Sequence, residues 1–163
     1  MLLTDSKKEY LVKVKHFSLL IQQWVIDKAD FRNITSDFGI FPELIMAEVM
    51  IQSDWGDHPL SQDTYTGRYS NNLLILKADK SWCGKKNKYK DEEYKAYKTW
   101  SSFAVDASDH FVFSGMYDDV ILSRNLTQQI SIFSLGKPDP LCYNEEVNKL
   151  IFSIREILNG YKR

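Results

Sequence analysis

The chain has 163 residues, 44% of them hydrophobic, and a formal net charge of −1, a length that suits one domain burying roughly two-thirds of its unfolded surface. That charge balance removes the global electrostatic case for a nucleic-acid partner, and no stretch approaches the roughly 18 uninterrupted apolar residues of a membrane span, so no membrane insertion is expected. Two cysteines, Cys83 and Cys142, show neither metal-site nor redox spacing nor the density of a disulfide scaffold; two unpaired thiols or one disulfide remain open.

From Met1 to Glu9 the basic, apolar and small-residue order of a secretory leader is missing, so no signal peptide is expected. Residues 1–16 read as an N-terminal extension and 17–163 as the domain proper. Phe17, Leu20, Ile21, Trp24, Val25 and Ile26 form a stripe that predicts a core-facing helix, with more helix before Gly39. Pro42 then suits the first position of the next helix, with Glu43 in its first turn.

Between Phe41 and Ser53 nearly every position is apolar, which places this helix in a core. Inside it only Glu48 and Gln52 are polar. At i and i+4 they share one face, with Cβ atoms roughly 5–6 Å apart. Burying an unpaired carboxylate is costly. Either this face lines a cleft, or the two side chains bond each other and a neighbouring helix.

The middle of the chain is polar and turn-rich from Leu60 to Gly67, followed by a short apolar run at Asn72–Lys77. Lys77 to Lys98 contains eight lysines and four acids, which reads as a solvated lobe with a small hairpin. Its lysines serve solubility or meet an anionic polymer, a role that Asp91, Glu92 and Glu93 weaken. A helix is predicted from Asn125 to Leu135, closed by Gly136, with Pro138 and Pro140 making an extended connection. Val147, Leu150, Ile151, Ile154, Ile157 and Leu158 predict a last helix, capped by Asn144 and closed by Gly160.

The segment Ala47-Glu48-Val49-Met50-Ile51-Gln52-Ser53-Asp54-Trp55-Gly56 resembles the signature Ala-Gln-x-x-x-Glu-Ser-x-Trp-Gly. That signature belongs to the glucosaminidase family of bacterial and phage peptidoglycan hydrolases, glycoside hydrolase family 73. Further pieces follow in order. Asn71-Asn72-Leu73-Leu74-Ile75-Leu76-Lys77 resembles Asn-Leu-Phe-Gly-Ile-Lys, and Trp82-Cys83-Gly84 resembles Trp-x-Gly. Tyr94-Lys95-Ala96-Tyr97-Lys98-Thr99-Trp100 is similar to Phe-Arg-x-Tyr-Asp-Ser-Trp, and Asp109-His110 to a later Asp-His. Gly136-Lys137-Pro138-Asp139-Pro140-Leu141-Cys142-Tyr143 resembles the Gly-x-x-x-Asp-Pro-x-Tyr entry to the last helix. The resemblance spans roughly residues 17–161 and implies a mostly α, lysozyme-like α+β fold: a helical domain with a small irregular or β-hairpin lobe around residues 65–95 and a cleft between them.

The family's catalytic Glu falls at Gln52, and its Gln falls one turn earlier at Glu48. Cleaving a glycosidic bond needs a proton donor at the leaving oxygen. An amide has none to give, although it can still bond a sugar oxygen or an N-acetyl group. Other departures cluster nearby: Leu74-Ile75 replace Phe-Gly, and Lys95 and Lys98 replace Arg and Asp. The hairpin carrying a candidate second carboxylate is reduced or missing.

The resemblance therefore implies a domain directed at the N-acetylglucosamine–N-acetylmuramic acid strands of peptidoglycan, acting at the bacterial cell wall, extracellular or virion-associated. Gln52 holds the acid position and Glu48 is its neighbour; Tyr97, Asn72, Trp55 and Ser53 are candidate substrate-binding residues. Three readings stay open for catalysis: a retired enzyme that binds cell wall, an active enzyme using Glu48, or an engineered Glu→Gln change. A structural role among other proteins of a larger assembly, such as a phage tail, is the reading from another class. No cofactor or metal is expected, because His16, His58 and His110 have no ligand spacing.

Overall fold

The structure, a computed structural model, describes residues 4–161. Met1, Leu2 and Leu3, part of the segment read for a leader, lie outside the described residues. The first helix, α1, runs Asp5–Phe31. Thr4 opens it by accepting the Lys7 N–H on its hydroxyl, and Leu11, Val14, Ser18, Ile21, Val25 and Ala29 are its buried line. Residues 5–16, set apart above as part of an extension, thus belong to the same helix as Phe17 and contribute Leu11 and Val14 to the core. No further helix precedes Gly39, contrary to expectation. Arg32 and Asn33 end α1, Asn33 in the left-handed region at φ 57°, a conformation that Asn accepts and that stops helix propagation.

Helix α2, Pro42–Ser53, is buried on nearly all sides, as its apolar composition requires. Pro42 occupies its first turn. Its end is unusual: Asp54, Trp55 and Gly56 all have positive φ. A side chain at Gly56 would meet the Tyr10 ring at 2.9 Å, so both the backbone and the close packing against α1 demand glycine there.

The lobe follows. A short 3-10 turn at Pro59–Ser61 leads to the hairpin β1 (Thr64–Tyr65) and β2 (Arg68–Tyr69), then to β3 (Lys86–Tyr89) and β4 (Glu92–Lys95). Each hairpin is a separate two-stranded antiparallel sheet. Both turn on two residues of positive φ, Thr66-Gly67 and Lys90-Asp91, which matches the twist that short hairpins favour. The hairpin expected to be reduced or missing is therefore present, with four-residue strands in the register Lys86 to Lys95 and Tyr89 to Glu92.

Helix α3, Trp100–Phe113, is capped by Thr99 and packs with α2 against α1. Short α4 (Asp118–Ile121) and α5 (Leu126–Ser134) follow, the latter close to the predicted span and capped by Asn125. The last helix, α6, covers Pro140–Tyr161, starting four residues before the predicted Asn144 cap. Asp139 opens it by accepting the Cys142 N–H at 3.1 Å, and Pro140 is its first residue rather than part of an extended link, an Asp-Pro start that suits a helix better than Asn144 does. Gly160 lies inside the last turn. Cys83 and Cys142 are free and exposed. Among the described residues no helix is long and apolar enough to cross a membrane.

Candidate functional site

Glu48 and Gln52 meet as their spacing predicts, with Gln52 Nε2 donating to Glu48 Oε1 at 3.0 Å. The carboxylate is only 6% exposed and has two more partners, both from the corner between α5 and α6. Lys137 Nζ reaches the same Oε1 at 2.8 Å, and the Tyr143 hydroxyl donates to Oε2. Of the two alternatives for this helix face, Glu48 follows the second: it is packed against a neighbouring helix and bonded on both oxygens. Gln52, one turn on, is half-buried at the edge of the network.

Tyr143 donates into a buried carboxylate, and burial together with the adjacent Glu48 charge pushes its phenol far above the ordinary tyrosine value. It stays protonated and holds Glu48 as a donor. Lys137 also lies over two rings, 4.9 Å from Phe133 and 4.8 Å from Tyr143. This arrangement fixes Glu48 in place. Each of its oxygens accepts at least one hydrogen bond from within the chain.

A half-buried polar and aromatic strip runs from this corner to the lobe. Phe133 stacks on Tyr117 at 5.8 Å, and the Tyr117 hydroxyl meets His110 Nε2 at 3.3 Å. One turn earlier on α3, Asp106 accepts Lys95 Nζ at 3.0 Å and the Tyr97 hydroxyl. Lys95 in turn lies 4.7 Å from the Trp82 ring centroid. Burial and the Lys95 charge push the His110 imidazole below its ordinary value. The strip offers ring edges, the carboxylates of Glu48 and Asp106 and the cations of Lys95 and Lys137, groups that can stack on a sugar and hydrogen-bond its hydroxyls.

The remaining sequence candidates are largely structural. Tyr97 is 3% exposed, its hydroxyl taken by Asp106 and its ring wedged edge-on against Trp82 and Phe103. Asn72, fully buried, accepts Leu76 N–H at 2.9 Å and donates to Leu76 and Lys95 carbonyls at 3.0 and 2.8 Å. It braces the lobe. Ser53 meets the Tyr10 hydroxyl at 2.9 Å and accepts the Gly56 N–H at 3.2 Å, so it shapes the end of α2. Trp55 is half-buried and packs on the core.

Of the acids on the β3–β4 hairpin, Glu92 pairs with Lys77 and Glu93 with Lys86, while Asp91 sits in the hairpin turn. No cluster of three metal-ligating side chains occurs among the described residues. Sequence reasoning missed Lys137, Tyr143, Asp106, Tyr117 and Phe133. The first two stand inside the Gly136–Tyr143 motif, which was the available pointer.

No protein-family model matches the chain, and no curated protein does. Solved structures do match. The glycoside hydrolase domain of FlgJ from Salmonella typhimurium superposes with a TM-score of 0.74 at 16% identity, covering 96% of this chain and 92% of that one. A C-terminally truncated form of that domain gives 0.67 at 17% identity, over 92% and 98%. A peptidoglycan hydrolase from Sphingomonas sp. A1 gives 0.60 at 20% identity, over 85% and 94%. The mostly helical architecture with its small β lobe is thus the fold of these glycoside hydrolase domains.

Proposed function

We propose that this chain is a peptidoglycan-directed domain that binds the N-acetylglucosamine–N-acetylmuramic acid glycan at the cell wall without hydrolysing it. The observation that carries the reading is the Gln52 amide bonded to Glu48 at 3.0 Å, with Glu48 also held by Lys137 and Tyr143. General-acid assistance contributes about 10² to 10⁴-fold to such reactions. Gln52 cannot supply it, and Glu48 is engaged elsewhere. The likeness in fold to a peptidoglycan hydrolase supports this choice of polymer, and the rings of the strip from Trp82 to Phe133 are of the kind on which sugars stack.

Titration of a soluble N-acetylglucosamine–N-acetylmuramic acid oligomer into the chain tests the binding half. Replacing half-buried Trp82 by Ala is expected to raise Kd about tenfold, or about 1.4 kcal/mol. An unchanged Kd would remove the strip from the site. A second reading, a structural part of a larger assembly, is favoured by Leu135 and Leu141, which flank Lys137 and stand 73% and 81% exposed. Failure of the chain to bind any glycan would select it.

A further inference from the structure

Between the two hairpins lies a cavity of about 680 Å³. Its wall includes Arg68 and Tyr69 of β2, Lys86 and Asn87 of β3, and Lys85 just before β3. None of the side chains around Glu48 lines it, yet it begins where the polar and aromatic strip ends: the Trp82 indole N–H donates to the Lys85 carbonyl at 2.9 Å.

The wall is one-sided in charge, in a chain whose net charge is −1. It holds three cations and no acid. Lys86 reaches Glu93 at a long 3.5 Å, whereas Arg68 and Lys85 form no ion pair among the described residues. Such a wall attracts anions. Exposed cations alone would mean no more than a solvated face.

Asn87 distinguishes this cavity from a patch of surface lysines. Its side chain lines the cavity although the residue is only 2% exposed. Its Nδ2 donates to the Tyr69 carbonyl at 2.7 Å, tying β3 to β2 and fixing which way the amide points. Its Oδ1 accepts no hydrogen bond among the described residues, and it is not one of the fully enclosed unpaired atoms, of which Asn71 Oδ1 is the single case. The Asn87 oxygen therefore keeps access to the cavity as an acceptor without a donor, which is rare for a buried side chain. The strands add a second feature. β2 pairs only with β1, and β3 only with β4. Each keeps an edge with no strand on it, the kind of edge that offers backbone donors and acceptors to an extended peptide.

We propose that the cavity between the hairpins binds a short acidic peptide, namely the peptide stem of peptidoglycan carried by a sugar seated on the adjoining strip. Which peptide it is rests on the peptidoglycan-directed reading given above. A carboxylate of the peptide meets Arg68, Lys85 and Lys86, and a backbone N–H donates to Asn87 Oδ1. An anion without N–H or O–H groups would satisfy the cations and leave Asn87 unpaired, whereas a neutral sugar would do the reverse. The open strand edges favour a peptide over an acidic sugar.

The test is titration of the intact chain with a sugar-free stem peptide, acetyl-L-alanyl-γ-D-glutamyl-Nε-acetyl-L-lysyl-D-alanine, whose only charges are its carboxylates. The same peptide with its carboxylates amidated, and glutarate, a dicarboxylate without amides, serve as comparisons. The free acid should bind, and each comparison should bind more than tenfold more weakly. The double variant Arg68→Glu with Lys85→Glu is expected to weaken the peptide more than tenfold. Lys88→Glu with Lys90→Glu, on the same lobe but outside the cavity, should change it less than threefold. All four positions are exposed, and near-UV circular dichroism verifies that each variant is folded. Neither variant should move the affinity for a peptide-free glycan oligomer by more than twofold. No binding of the free acid, equal loss in both double variants, or a comparison bound as tightly as the free acid would overturn the proposal. The peptide carries no sugar, so its failure would leave glycan binding on the strip standing, and failure of the glycan oligomer alone would leave the peptide site standing.

Discussion

Lys137 Nζ stands 2.8 Å from Glu48 Oε1, joining positions 89 residues apart in sequence. The Glu48 side chain is 8% exposed and that of Lys137 23%, so solvent screens this pair only in part. Removing one partner of a buried pair strands the other charge, at about 3–5 kcal/mol when burial is complete. For Lys137→Met, allowing for the exposed part of the lysine, we expect about 2–3 kcal/mol, a Tm lower by about 4–10 °C. Adding Glu48→Gln should recover more than half of that loss. Thermal melts of the three forms check it, and an unchanged Tm in Lys137→Met would mean that the lysine does not hold the carboxylate.

Gln52→Glu places two carboxylates at i and i+4 and removes the amide donor from Glu48. Like charges sharing a site bind one proton more tightly than the unfolded chain does. The folded state then gains protons relative to the unfolded state, so stability falls as pH rises. The variant should melt below the unmodified chain by about 3–6 °C at pH 7, equivalent to about 1–2 kcal/mol. Near pH 4.5 the gap should narrow. A gap that widens on acidification contradicts the assigned geometry.

Much of this site was legible from local pattern. The Glu48–Gln52 contact followed from i, i+4 spacing on an apolar helix, and the approximate span of α5 from the helix pattern between Asn125 and Leu135. What spacing could not supply was the far side of each contact. Lys137 and Tyr143 come from a corner 89 and 95 residues away from Glu48, and nothing local distinguishes a lysine on a carboxylate from one in water. The same limit affected Tyr97 and Asn72, both assigned to sugar, which turn inward because Asp106 and the Lys95 carbonyl lie within reach. The start of α6 was placed too late for a different reason: the motif pointed to a helix entry, but Pro140 was read as extended and Asn144 as the cap, although an acid before proline also opens helices.

Asn72 and Tyr97 separate structural from binding roles. Asn72→Ala leaves the Leu76 N–H and two carbonyls without their side-chain partner, which should cost about 2–3 kcal/mol. Hydrogen exchange should accelerate first at residues 72–78 and 92–96, where the brace ties the lobe together. Tyr97→Phe should cost about 1 kcal/mol and leave glycan affinity unchanged within twofold. A large affinity loss in Tyr97→Phe with unchanged stability would return that tyrosine to the binding surface.

His110 sets a pH dependence. Its burial and the nearby Lys95 push it below 6.5, against the opposing charges of Asp106 and Asp79. The unfolded chain therefore takes up the proton first as pH falls. Stability from the neutral ring is present above about pH 6.5 and is lost as pH drops below it through the lowered folded value. Tm should decline in that window, and His110→Gln, which can still meet the Tyr117 hydroxyl, should flatten the decline. His58 is also pushed down, first by burial and then by Lys90, so some slope should persist in the variant.

We propose that the domain holds peptidoglycan without cutting it, because Gln52 has no proton to give. The most direct measurement incubates the purified chain with insoluble peptidoglycan and quantifies soluble muropeptides alongside protein recovered in the pellet. We predict protein in the pellet and muropeptide release no greater than in buffer alone. Release above the buffer level that disappears in Glu48→Gln would contradict the account and assign the acid to Glu48.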